Sequence, residues 1–205
     1  MEKFVRLTAK PCPLPQPNLN TDQILPARYL KWPRAKGLGT VLFQDLRFDA
    51  EGKARADFPL NQPLWQGARI LVAGRNFGGG SSREAAVYAI YDHGFRCVIA
   101  PSFGDIFAQN AVKNGLLTAV VSEGDSTELA VAVAAEPQRD VTVDLERQTI
   151  SCGNRTYGFS IDPVSRNQLL NGWDDVDLTE SYRAQIAAYQ VADRDRRPWA
   201  VPHSP

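Results

Sequence analysis

Downstream of Ala68, continuous apolar runs alternate with segments in which apolar residues recur at helical spacing. The runs have the length and composition of strands buried on both faces; they are ARILVAG, RCVIAP and LLTAVV. The intervening segments, SREAAVYAIYDHG and GDIFAQNAVKNG, predict helices that stop at Gly94 and at Asn114-Gly115. Strands that alternate with helices are typical of βαβ units, so residues 68–121 predict a mostly parallel central sheet flanked by helices.

On either side of this core the pattern is different. Residues 1–65 are irregular and rich in proline, which suits ordered loops and edge strands; FVRLTAK and TVLFQ are the candidate strands there. After the core, STELAVAVAAEP predicts a helix capped by Ser126 or Thr127. VTVDL, TISC and RTYGFSI predict short antiparallel strands with a turn at Gly153-Asn154, and PVSRNQLLNG and LTESYRAQIAAYQ predict two late helices.

These segments predict one α/β domain over residues 1–192, with short antiparallel strands added to the parallel sheet. The domain comprises an irregular N-terminal region (residues 1–65), the βαβαβ core (residues 68–121), and C-terminal strands and helices (residues 128–192). Residues 193–205 are rich in charge and proline, and we expect them to form a flexible or partner-bound tail.

The charge balance narrows the classes of function. Lys and Arg together number 23, as do Asp and Glu, so no net field attracts nucleic acid or a membrane surface. No apolar stretch approaches the ~18 residues of a membrane span, and the start MEKFVRLTAKPCPLP lacks the apolar centre of a signal peptide. We therefore expect a cytoplasmic protein that binds neither nucleic acid nor membrane.

The three cysteines, Cys12, Cys97 and Cys152, are widely scattered and form no C-x-x-C pair. Such cysteines are typical of free thiols in a reducing compartment. With only two histidines in addition, the chain is not expected to hold a zinc ion or an iron–sulfur cluster by itself.

Candidate chemistry is concentrated in NFGGGSSREAA (76–86), which joins the first core strand to the first core helix. The first turn of a helix has unpaired amides and partial positive charge, so a glycine-rich turn that precedes it favours an anion. Neither the Walker A pattern nor the dinucleotide pattern G-x-G-x-x-G fits, because no lysine follows the last glycine and Arg83 stands at the third glycine position. Taken alone, the loop is equally consistent with a tight turn in which Ser81 or Ser82 caps the helix.

Four blocks occur in a fixed order: NLNTDQILPARYL, NFGGGSSREAA, GFRCVIAPSFGDIFAQNAVKNGLL and LLNGWDDVDLT. Together they resemble the small subunit of 3-isopropylmalate dehydratase, a relative of the swivelling C-terminal domain of aconitase. The resemblance extends from about residue 4 to residue 189 and implies an aconitase-type swivelling domain. It also implies a partner, a large subunit that holds a four-iron four-sulfur cluster, and a small hydroxy di- or tricarboxylic acid as substrate.

By motif position, the resemblance implies roles for single residues. Ser81 corresponds to the base that removes the proton α to a carboxylate, and Asp22 corresponds to the catalytic aspartate of the T-D-x-I motif. Ser82 and Arg83 correspond to substrate-carboxylate binders, and Gly80 lets the backbone approach the substrate.

The chain departs from the family pattern N-F-G-C-G-S-S-R-E-H-A at two positions, where Gly79 replaces cysteine and Ala85 replaces histidine. The loop after the T-D-x-I motif reaches toward the variable part of the substrate in this family. Here that loop carries Lys31, with Arg28 nearby, which we count as candidate substrate-binding residues; a solvated lysine is the alternative.

The predicted function is therefore a hydro-lyase subunit that isomerises 2- and 3-isopropylmalate in leucine biosynthesis and is active only with its large subunit. Two alternatives remain open. The same chemistry can act on a citraconate, methylmalate or homoaconitate type of acid, or the chain can be a non-catalytic homologue that binds an anion.

Overall fold

The computed structural model describes residues 1–200 and contains two four-stranded sheets. An antiparallel sheet has the order β1-β6-β7-β8, with β1 Arg6–Ala9, β6 Val141–Asp144, β7 Thr149–Cys152 and β8 Arg155–Gly158. A parallel sheet has the order β2-β3-β4-β5, with β2 Pro11–Leu14, β3 Ile70–Ala73, β4 Cys97–Ala100 and β5 Leu117–Val120. The α/β class and the mixture of parallel and antiparallel strands are confirmed.

Eight α-helices lie among the described residues: α1 Thr21–Ile24, α2 Gln44–Arg47, α3 Glu84–His93, α4 Asp105–Lys113, α5 Glu123–Ala135, α6 Pro163–Asn171, α7 Asp175–Ser181 and α8 Arg183–Arg196. Helices α3 and α4 follow β3 and β4 as the periodicity predicts, and α3 ends where Gly94 adopts φ 119°. No helix within residues 1–200 has the length and apolarity needed to cross a bilayer.

The parallel sheet is buried because its strands are apolar at nearly every position. All residues of β3 and β4 are buried, which requires cover on both faces. Helices α3 and α4 pack against each other, whereas α5 packs against β2 and β3 and reaches β7 of the second sheet. The edge strand β2 contains Pro11 and Pro13, and proline is tolerated there because an edge strand leaves some amide positions unpaired.

Two predictions for the N-terminal region were wrong. TVLFQ is not a strand: Leu38–Val41 form a 3₁₀-helix and Phe43 begins a new turn at φ 53°. These apolar residues are buried by packing of the loop on α3, where a Cβ on Gly39 would lie 2.4 Å from the amide nitrogen of His93. Conversely, PCPL was not predicted as a strand, although it pairs with β3.

The predicted cap of α5 was also wrong. Ser122, rather than Ser126 or Thr127, caps the helix, and its hydroxyl accepts a hydrogen bond of 3.0 Å from the amide of Asp125. The first turn is polar and contains glycine, so its apolar periodicity begins one turn after the helix does.

The C-terminal strands form as predicted, and Gly153-Asn154 connects β7 to β8. The last predicted helix is divided at Tyr182 into α7 and α8. Helix α8 continues to Arg196, so the predicted tail begins inside a helix, and residues 201–205 lie outside the described residues.

Candidate active site

Phe77 attaches residues 76–86, which we call the glycine–serine loop, to the core. Phe77 is fully buried, and its ring packs edge-on against Phe107 at a centroid distance of 5.5 Å. Its amide donates to the carbonyl of Ser102 at 3.0 Å, and its carbonyl accepts from the amide of Gly104 at 2.9 Å. The loop therefore leaves β3 from a rigid position.

Two of the three glycines are required by backbone conformation. Gly78 has φ 71°, and a Cβ there would lie 2.3 Å from the ring of Phe107. Gly80 has φ 92°, a region that other L-residues rarely adopt.

Gly79 has no such backbone requirement, and it stands where the family pattern has cysteine. A Cβ at Gly79 would lie 2.9 Å from Oδ1 of Asn76, whose amide group donates to Oδ1 of Asn18 at 3.0 Å. The Asn76 side chain thus occupies space next to the position where a cysteine side chain would begin.

Residues 19–22, which precede and begin α1, lie along this loop and hold it by four polar contacts. The amide of Gly78 donates to the carbonyl of Leu19 at 2.7 Å, and the amide of Thr21 donates to the carbonyl of Gly79 at 3.1 Å. The hydroxyl of Thr21, a residue that is 1% exposed, donates to the carbonyl of Ser81 at 2.9 Å. The fourth contact is an ion pair between Asp22 and Arg83.

This ion pair joins two residues that the sequence singled out, 61 positions apart. The Nη1 group of Arg83 donates to Oδ1 of Asp22. The Arg83 side chain is 19% exposed and that of Asp22 is 53% exposed, so the guanidinium is held at the surface of the core while the carboxylate reaches solvent.

The serines do not cap α3. The helix begins at Glu84 with Arg83 as its N-cap residue, and no side chain accepts a hydrogen bond from its first turn. Gly80, Ser81 and Ser82 are exposed, and neither serine hydroxyl is hydrogen-bonded to any residue within 1–200. Exposed hydroxyls, a helix start without a side-chain cap and an adjacent guanidinium form an arrangement that can bind a carboxylate.

Lys31 and Arg28 are not joined to this arrangement. Arg28 forms a two-pronged ion pair with Asp45, with 2.8 Å between Nη1 and Oδ2, and lies over the ring of Tyr29. Lys31 is exposed and forms no ion pair with a described residue. Their roles in substrate binding stay predictions.

Sequence reasoning missed two residues that organise the site. Thr21 precedes Asp22 in the T-D-x-I motif, and only that adjacency could have drawn attention to it. Asp92, in the last turn of α3, binds Arg34 at 2.7 Å and attaches the Lys31 loop to the helix that follows the serines.

The described residues do not form a metal centre. Within residues 1–200, no group of three or more His, Cys, Asp or Glu side chains is arranged to hold a metal ion. Cys12 and Cys97 are buried, and burial raises the pKa of the Cys12 thiol to about 12 and that of Cys97 in the same direction. A raised pKa disfavours the thiolate, which is the form that binds a metal.

Family models match two consecutive parts of the chain. The family model for the aconitase C-terminal domain matches residues 1–124, and the LeuD_N model matches residues 127–163. The chain is similar to the protein named 3-isopropylmalate dehydratase small subunit from Rhodospirillum centenum, with 48% identity over 98% of this chain and 100% of the relative. The protein of the same name from Rhizobium meliloti is 46% identical over 98% of this chain and 100% of its own length.

A solved structure supports the fold. The crystal structure of a 3-isopropylmalate dehydratase from Methanocaldococcus jannaschii covers 90% of this chain and 99% of its own chain, with a TM-score of 0.65 and 24% identity. At that identity the likeness concerns the fold alone. From the near full-length match to curated relatives and the match to the aconitase C-terminal domain, the chain belongs to the family of 3-isopropylmalate dehydratase small subunits.

Proposed function

We propose that this chain is the small subunit of a heteromeric hydro-lyase that interconverts 2- and 3-isopropylmalate by dehydration and rehydration, a step of leucine biosynthesis. The observation that carries the proposal is the exposed Ser81-Ser82-Arg83 sequence at the uncapped start of α3, held by Thr21 and Asp22. The near full-length match to small subunits of this enzyme supports the same reaction.

Ser81 is the proposed base. A serine hydroxyl is too weakly acidic to act as an alkoxide near neutral pH unless fixed positive charge stabilises the alkoxide. The start of α3 supplies partial positive charge, and Arg83 supplies a full charge two residues away. Because the Ser81 side chain is exposed, its hydroxyl can contact a substrate that is bound to the large subunit.

Arg83 and Ser82 are the proposed binders of the substrate carboxylate, with Gly80 allowing close approach of the backbone. A guanidinium has five N–H donors, and Asp22 accepts from Nη1 alone, so donors remain for the substrate. Asp22 orients the guanidinium and is the proposed second catalytic residue.

The large subunit is the proposed holder of the four-iron four-sulfur cluster, since residues 1–200 contain no group arranged to hold a metal ion and the cysteines of this chain are buried. When bound there, the cluster supplies a Lewis acid for the substrate hydroxyl. We expect the pair to work in the cytoplasm, where free thiols such as these stay reduced.

The test is reconstitution of the chain with its large subunit and assay against 3-isopropylmalate, citraconate, a methylmalate and homoaconitate. We expect isopropylmalate to be the best substrate and the chain alone to be inactive. If the enzyme prefers another of these acids, the proposed reaction type stands and the proposed substrate is wrong.

The matched variants Ser81→Ala and Ser82→Ala separate an enzyme from a non-catalytic homologue. Ser81→Ala should lower kcat by several orders of magnitude with little change in KM, whereas Ser82→Ala should mainly raise KM. If Ser81→Ala keeps more than about a tenth of kcat, a change in barrier below roughly 1.4 kcal/mol, Ser81 is not the base.

A further inference from the structure

A second site lies at the same edge of the parallel sheet, away from the serines. An open cavity of about 660 Å³ is bounded by the carboxyl ends of β2, β3 and β4 and by α5. We call it the α5 cavity. No residue from Gly80 to Arg83 lines it. The carboxyl ends of parallel strands are where open α/β sheets place their ligands, and the volume is in the range of small-molecule sites.

The walls of the α5 cavity are apolar and stiff. Five prolines line it: Pro13, Pro15, Pro17, Pro59 and Pro101. Proline has a fixed φ and no amide hydrogen, so these walls neither collapse easily nor present donors to water. A cavity of this kind is preformed for an apolar group, because binding orders little of the chain.

The face of α5 that lines the cavity does not fill it. The helix contributes mostly short side chains at helical spacing, namely Glu123, Ser126, Thr127, Ala130, Val131 and Ala134. Small residues on a helix face usually allow a close neighbour to pack against them. Here an open volume faces them instead.

Ser126 adds a polar group to the wall of the cavity. The residue is 6% exposed, it lines the cavity, and its hydroxyl makes no hydrogen bond within residues 1–200. Its neighbour Thr127, by contrast, donates to the carbonyl of Glu123 at 2.9 Å. The Ser126 hydroxyl is accessible from the cavity and can therefore hydrogen-bond to a ligand there.

The charges of the cavity indicate what kind of ligand fits. Arg75 and Glu123 both line it, yet they form no ion pair with each other or with another described residue. A guanidinium and a carboxylate that share one cavity without pairing match a ligand that carries both charges. Between them, the proline and alanine walls suit an apolar body.

We propose that the α5 cavity binds a small zwitterion with an apolar side chain, the class of the apolar α-amino acids. Arg75 and Ser126 bind the carboxylate, Glu123 binds the ammonium group, and the side chain lies against the prolines and Ala130. The proposal does not depend on the reaction assigned to Ser81, since the two sites share no residue.

The binding test is calorimetric titration of the full chain with three probes of one branched skeleton. L-leucine carries both charges, 4-methylpentanoate lacks the ammonium group, and 3-methylbutylamine lacks the carboxylate. We expect L-leucine to bind and the other two to bind about tenfold more weakly, because each loses a charge-assisted hydrogen bond. Equal affinity for the three probes, or no binding at millimolar concentration, would overturn the proposal.

Three variants locate the site. Arg75→Gln should weaken L-leucine binding about tenfold and Ser126→Ala about threefold, whereas Ala130→Phe fills the cavity and should abolish binding. Arg194→Gln, at an exposed arginine on α8, is the control with wild-type affinity. If Ala130→Phe does not fold, judged by circular dichroism, the two polar variants decide.

Two outcomes of the variant series contradict the site. Unchanged affinity in both Arg75→Gln and Ser126→Ala would place L-leucine elsewhere. Failure of the wild type to bind L-leucine, together with weaker capture of the large subunit by folded Ala130→Phe, would identify the α5 cavity as a protein contact.

Discussion

The hydroxyl of Thr21 donates a 2.9 Å hydrogen bond to the carbonyl oxygen of Ser81, although the two residues lie 60 positions apart. Thr21 is buried and its own amide donates to Gly79, so it holds the backbone on both sides of Gly80. The backbone of Ser81, the proposed base, is therefore held in place before a substrate arrives, and such positioning contributes to rate.

Thr21→Val keeps the shape of the side chain and removes the hydroxyl. We expect kcat of the reconstituted enzyme to fall about tenfold or more with a small change in KM, because the backbone of the proposed base Ser81 loses a contact that fixes its position. Thr21→Ser keeps the donor and should recover most of kcat.

Steady-state kinetics of the two variants, alongside their unfolding midpoints, check this role. If Thr21→Ser loses kcat and Thr21→Val keeps it, packing of the threonine methyl group matters and the hydrogen bond does not. A kcat for Thr21→Val within about twofold of wild type would also contradict the prediction.

Asp22→Asn tests whether the carboxylate of Asp22 competes with substrate for Arg83. Removing the charge leaves the guanidinium unpaired, so the full chain alone should bind malate more tightly, while the reconstituted enzyme should have a lower kcat. Stability should change by no more than about 1 kcal/mol, because the pair is partly exposed.

The control is Asp45→Asn, which frees Arg28 in the same way. Calorimetric titration with malate compares the two. Tighter binding only in Asp22→Asn supports Arg83 as the carboxylate binder, whereas tighter binding only in Asp45→Asn would move that role to Arg28.

Hydrophobic periodicity predicted the core of the fold because β3, β4, α3 and α4 bury their apolar residues in the way their spacing implies. It failed where burial comes from irregular chain: Phe43 is fully buried without belonging to a strand. The proline-containing strand β2 was missed because proline reduces strand propensity, and only pairing with β3 reveals it.

The candidate site was predictable only in part, because some of its residues are neighbours in sequence and others meet through long-range contacts. Ser81, Ser82 and Arg83 are neighbours in sequence, so one local motif identifies them together. The pairing of Thr21 with Ser81 is a long-range contact that no local pattern encodes. Asp22 was identified by family resemblance, and the structure supplies its partner, Arg83.

The glycines of the loop give a stability prediction. Gly78→Ala forces a Cβ against the ring of Phe107 at φ 71°, and we expect a loss of about 3 kcal/mol in the free energy of unfolding. Gly79→Ala meets only the end of the Asn76 side chain, which can move, so the change should stay within about 1 kcal/mol.

Urea unfolding of the two variants measures the difference. Gly79→Cys restores the family residue and should resemble Gly79→Ala in stability. A destabilisation of Gly79→Ala as large as that of Gly78→Ala would show that the Asn76–Asn18 hydrogen bond is essential to the loop.

The final prediction concerns Lys31, which is exposed in the loop attached to α3 by Arg34 and Asp92. An ammonium group that faced an alkyl tail of the substrate would have to be desolvated without a partner, which is costly.

If Lys31 turns toward the substrate, Lys31→Val should improve kcat/KM for alkylmalates. It should also weaken the binding of an acid with an extra carboxylate by about 1–3 kcal/mol. If Lys31 stays in solvent, both values should remain within about twofold of wild type, as for the control Lys53→Val on another exposed turn. If isopropylmalate is the preferred substrate, Lys31 must stay in solvent. Competition between isopropylmalate and homoaconitate, measured for the reconstituted wild-type and Lys31→Val enzymes, decides between the two positions of Lys31.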